Sequence, residues 1–104
     1  MDWDTFQNSL SQEAPPEGLN LALQALWHDA HGDWGRAHTL AQRQDDRAGA
    51  WVHAYLHRKE GDLANAGYWY RRAGRPQPNG SLDEEWDAIA RALLDETTAS
   101  HDGR

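Results

Sequence analysis

The amino-acid sequence predicts an all-α domain of five to six helices, and three observations carry that expectation. Sixteen residues are Ala, while only six are β-branched: Val52, Ile89 and four Thr. Helices favour Ala and Leu, whereas strands favour β-branched and aromatic side chains. Between clear breakers, apolar residues recur at helical spacing. The breakers are Pro15-Pro16, Gly32-Asp33, Asp45-Asp46, Gly61-Asp62 and the loop run from Gly74 to Gly80. With 104 residues the chain suits a single domain over 1–104.

The elements follow in order. Segment 3–12 places Trp3, Phe6 and Leu10 at helical spacing behind Asp2, an N-cap residue. Segment 17–31 aligns Leu19, Ala22, Leu23, Leu26, Trp27 and Ala30 on one stripe. Segment 34–44 begins after Asp33 and aligns Trp34, Ala37, Leu40 and Ala41. Segment 47–60 follows Asp46 and aligns Ala48, Trp51, Val52, Tyr55 and Leu56. Segment 63–73 follows Asp62 and ends at Gly74, suited to a left-handed C-terminal position. The last helix, over about 82–97, opens with the capping box Ser81-x-x-Glu84 and aligns Leu82, Trp86, Ile89, Ala90, Leu93 and Leu94. Its acidic first turn suits the helix macrodipole, and the tail from about Thr98 is expected to fray. Five successive helices carry one Trp each: Trp27, Trp34, Trp51, Trp69 and Trp86. Gly67, inside a helix, implies close approach of a neighbouring helix or a bulky Trp.

Charge narrows the function classes. The formal charge is −7, which argues against duplex nucleic acid as partner. The charge is uneven: residues 47–76 carry six bases against Glu60 and Asp62, between two acidic ends. The absence of Cys removes disulfides and thiolate sites and fits a cytoplasmic protein. The acidic start lacks a secretory pattern, and no apolar run is long enough to span a bilayer.

The sequence repeats itself at an offset of 29 residues. Ala25 matches Ala54, His28 matches His57, Gly32-Asp33 matches Gly61-Asp62, and Ala37 matches Ala66. Each unit reads as a helix, a Gly-Asp turn and a second helix, and such units bury their apolar faces by stacking. This pattern resembles a tetratricopeptide-type hairpin. The stretch from Asp62 to Ala73, with Ala66, Trp69-Tyr70 and a basic residue before Ala73, is similar to a Sel1-like repeat. The first unit departs from it, with Leu40-Ala41 in place of the Trp-Tyr pair. The resemblance implies repeat units at about 19–45 and 48–78, capped by the helices at 3–12 and 82–97. It also implies that Ala22, Leu26 and Asp29, then Trp51, Tyr55, Arg58 and Lys59, line a concave face. A terminal helix lying across Leu26, Trp51 and Tyr55 would close that face, as exposed aromatic patches are uncommon in small monomers.

The function expected from the resemblance is a non-enzymatic interaction or scaffold domain with a protein or peptide partner, its ligand an acidic segment or anion. The binding residues expected are Trp51, Tyr55, Arg58 and Lys59, then Arg71, Arg72 and Arg75. Arg forks beside aromatic rings suit carboxylate or phosphate. The competing structural reading pairs these Arg residues with Asp83, Glu84 and Glu85. No cofactor is expected and no catalytic motif is present. Two alternatives remain. One is a metal-dependent helical-bundle enzyme built on His28, His53 and His57, since imidazoles at i and i+4 share a helix face. The other is a homodimer that buries its aromatic face.

Overall fold

The computed structural model describes residues 1–102, with side chains through Glu96. Six helices follow in order: α1 (Trp3–Ser9), α2 (Leu21–Ala30), α3 (Trp34–Arg43), α4 (Arg47–Lys59), α5 (Leu63–Ala73) and α6 (Leu82–Asp102). No strand occurs among the described residues.

Each helix starts where a short polar side chain captures an orphan amide. Asp2, Asn20, Asp33, Asp46 and Asp62 accept from the third residue on, at 2.8–3.2 Å. At α6, the Ser81 hydroxyl accepts from the Glu84 amide at 3.0 Å, and Glu84 Oε1 accepts from the Ser81 amide at 2.8 Å. The capping box is therefore formed. Helix α2 starts later than the periodicity suggests. Gly18 takes a positive φ of 87°, and Asn20 supplies the cap. Helix α6 continues to Asp102, through the tail expected to fray, while residues 103–104 lie outside the described ones.

The two hairpins share one turn. Gly32 and Gly61 adopt left-handed φ of 79° and 90°. In both, the Gly amide bonds three residues back (to Asp29 and Arg58) and the following Asp amide bonds five back (to His28 and His57). The repeat is thus the same backbone conformation written twice. Its Ala residues at positions 25, 54, 37 and 66 are fully buried, so small side chains set the helix spacing within each hairpin.

Helix α2 packs along α3, and α4 packs along α5. The second hairpin docks through α4 against α2 and α3. Helix α6 crosses α2 and α4, and α1 lies on α6. Two indoles tie the ends to the middle: Trp86 Nε1 donates to Leu26 O at 3.0 Å and Trp27 Nε1 donates to Ser9 O at 3.2 Å. Phe6 stacks on Trp86 at 5.9 Å. Helix α5 packs along α4 and reaches α6 through the Tyr70 side chain.

Gly67 is not at a close approach, contrary to the reading of its place in the helix. A Cβ there would meet only the Arg71 guanidinium, at an ordinary 3.7 Å. The close approach lies at Gly49, where a Cβ would fall 1.9 Å from Gln44 O. The Gln44 side chain also joins this corner to α2, accepting from the Ala22 amide at 2.8 Å.

Candidate functional site

Three groups of side chains carry chemistry. The first is the concave face, which α6 covers. Trp51 and Tyr55 are buried. The Tyr55 phenol donates to Asp29 Oδ2 at 2.9 Å, and Lys59 Nζ donates to Asp29 Oδ1 at 2.9 Å. Burial first, then the Asp29 carboxylate, raises the Tyr55 phenol well above its ordinary range. Arg58 donates to Glu85 Oε1 at 2.8 Å and also to Gly80 O. The Tyr70 phenol donates to Glu85 Oε2 at 2.5 Å, and its pKa is likewise raised, mainly by burial. Of the expected partner-binding residues, Trp51 and Tyr55 are therefore buried, while the partly buried Arg58 and the exposed Lys59 are paired with acids of the same chain.

The second group is the basic side of α5 and the loop after it. Arg71, Arg72 and Arg75 are exposed. The acidic turn of α6 is engaged by Arg58 rather than by these three, because α4 and not α5 lies beneath α6. Arg72 lies over Trp69 at 5.2 Å, donates to the Tyr68 hydroxyl at 3.1 Å, and sits 3.9 Å from the exposed Asp45. Arg75 lies over the Trp51 ring at 3.9 Å. Beyond the 3.9 Å approach to Asp45, these guanidiniums make no ion pair among the described residues.

The third group is a histidine cluster between the hairpins. His53 and His57, one turn apart on α4, meet His38 from α3. His53 Nε2 and His38 Nε2 are 3.0 Å apart, and His57 Nδ1 lies 2.6 Å from Glu60 Oε1. One ring nitrogen from each of the three lies within 4.8 Å of the others. Two indoles wall the cluster: Trp34 stacks on His38 at 4.9 Å and Trp69 stacks on His53 at 4.0 Å. Burial pushes the His53 imidazole down to about 4, with the neighbouring His38 and His57 adding to the effect. Burial, followed by His57, also lowers His38. His53 Nδ1 is buried with no hydrogen-bond partner among the described residues. An unpaired buried polar atom costs about 1–3 kcal/mol, so its persistence calls for an explanation. A cleft of about 260 Å³ opens beside His53, lined in part by Trp69, Arg72, Arg47 and Gln44.

His28 is not part of this cluster. It stands at the repeat position of His57, but it lies on α2, where burial lowers its pKa and its ring meets Trp27. The third imidazole is His38, which the sequence reading missed. The signal was available: His38 lies four residues after Trp34, on the α3 stripe that faces α4.

The chain matches no family model, no curated protein and no solved structure. No helix among the described residues is long and apolar enough to cross a membrane.

Proposed function

We propose that the chain is a non-enzymatic interaction module that receives a helical protein segment at the open end of its two-hairpin stack. The observation that carries this is a contrast between two repeat-equivalent residues. Trp34 docks the second hairpin: its Nε1 donates to Leu56 O at 2.9 Å, and its ring meets His57. A shift of 29 residues brings Trp34 to Leu63, which is 59 % exposed on a helix that packs along α4 and carries no further hairpin on its other side. The same shift brings His38 to Gly67, where no ring stands and the Arg71 guanidinium lies 3.7 Å from the place of a Cβ. Tyr68, 44 % exposed, and the exposed Arg71 and Arg72 stand on the same helix.

An exposed Leu and Tyr beside exposed guanidiniums suit a helix that carries Leu-like anchors and acidic residues. The concave face, already occupied by α6, serves cohesion instead.

A photo-crosslinking residue at Leu63, with a control at Asp87 on α6, tests the reading in a lysate of cells that carry the gene. The expected result is one discrete adduct from position 63, none from position 87, and loss of the adduct in Arg71→Glu/Arg72→Glu. Equal labelling at both positions, or no adduct, overturns it. An adduct of twice the chain mass assigns this face of α5 to a second copy and makes the module a homodimer.

A further inference from the structure

Three imidazoles from two hairpins converge, and their surroundings are arranged as a binding site arranges them. His57 is oriented by Glu60, whose carboxylate 2.6 Å from Nδ1 holds the proton there and leaves Nε2 as a lone-pair donor. His38 and His53 approach nitrogen to nitrogen at 3.0 Å. Two neutral rings in that contact share one proton, so one Nε2 lone pair is masked until an ion displaces the proton. Nitrogens bound to one tetrahedral ion at about 2.0–2.1 Å sit about 3.3 Å apart; His38 and His53 are at 3.0 Å already, and the His57 nitrogen lies within 4.8 Å of both. Trp34 and Trp69 fix the planes of two of the rings. The cleft beside His53 gives a route in from solvent.

We propose that His38, His53 and His57 form a binding site for a single divalent transition-metal ion, with Zn²⁺ the ion the donor set fits best. Three neutral nitrogens and no thiolate match borderline ions such as Zn²⁺, Co²⁺ and Ni²⁺, and disfavour Ca²⁺ and Mg²⁺, which require oxygen ligands. The fourth position is left to water. Glu60 is a positioning residue that acts through His57. Because His38 belongs to the first hairpin and the other two to the second, the ion joins the hairpins across their interface.

The test titrates Zn²⁺ into the metal-free full chain by calorimetry and follows the histidine ring resonances by NMR. One ion per chain is expected, with the signals of His38, His53 and His57 shifting together while those of His28 and His31 stay in place. His38→Asn, at the half-exposed ligand, is expected to weaken binding at least tenfold with an unchanged circular dichroism spectrum. Glu60→Gln is expected to weaken it about 10-fold or more. Co²⁺ in place of Zn²⁺ should give the visible absorption of a tetrahedral site. Uniform shifts of all histidines, binding retained in His38→Asn, or no saturable uptake at micromolar Zn²⁺ each overturn the proposal.

Discussion

The Tyr70 phenol on α5 donates to the Glu85 carboxylate on α6 at 2.5 Å. Arg58 of α4 holds the other oxygen of the same carboxylate at 2.8 Å. Three helices thus meet at one buried acid. Removing one member of a buried pair strands the other, at a cost of about 3–5 kcal/mol. Glu85→Ala is therefore expected to unfold at markedly lower urea, and Glu85→Gln, which keeps an acceptor, to lose less. Arg58→Glu sets two carboxylates face to face and should be destabilising too. If Glu85→Ala unfolds at the wild-type midpoint, the junction contributes nothing to the fold.

Alkali should unfold the protein through its buried phenols. Tyr55 and Tyr70 have pKa values raised above the ordinary 10.0 by burial and by the carboxylates they donate to. The folded state therefore binds these two protons more tightly than the unfolded state does. Their contribution to stability is complete below pH 10 and falls away as pH rises further. Stability against urea should drop above pH 10, and the drop should shrink in Tyr55→Phe. Tyrosinate absorbance of these two rings should appear together with the loss of helical dichroism. Ionisation well before unfolding would contradict the burial of their hydroxyls.

Two glycines in helices should respond in opposite directions to the same substitution. Gly67→Ala adds a Cβ to open surface and removes a flexible residue from a helix, a gain of about 0.5–1 kcal/mol. Gly49→Ala drives a Cβ into Gln44 O and should lose about 1–3 kcal/mol or more. Thermal melts of the two variants check both signs.

The same contrast applies to Trp34 and Leu63. Trp34→Ala opens the seam between the hairpins and should cost about 3 kcal/mol, the lower bound for losing a packed aromatic. Leu63→Ala trims a side chain that is mostly exposed and should stay within about 0.5 kcal/mol of wild type. A large loss at Leu63 would mean that the open end of the stack is covered.

What the sequence made legible was local. The Gly-Asp turns, the Asp and Asn caps, the capping box at Ser81 and the apolar stripes are fixed by residues within a few positions of each other. The all-α class follows from them. The misreadings arose wherever one helix docks on another. Gly67 stood out because helical glycine is costly, yet the demand for a bare backbone falls on Gly49, where α4 passes Gln44. His28 was favoured by repeat equivalence, yet the cluster recruits His38, because α3 rather than α2 flanks that face of α4. Proximity in sequence to the acidic turn of α6 points to Arg71 and Arg72 as its partners, while the crossing of α6 over α4 gives that role to Arg58. None of these follows from spacing along one helix.

Asp29 and Arg58 occupy the same position in the two hairpins and bear opposite charge. Asp29 is met by Tyr55 and Lys59 from the second unit, and Arg58 is met by Glu85 from α6. The units are consequently not interchangeable. A copy of the first hairpin set in the second position would face Glu85 with another carboxylate and offer Asp29 an alanine in place of Lys59. Charge thus assigns each of two alike-shaped pieces its own place in the stack.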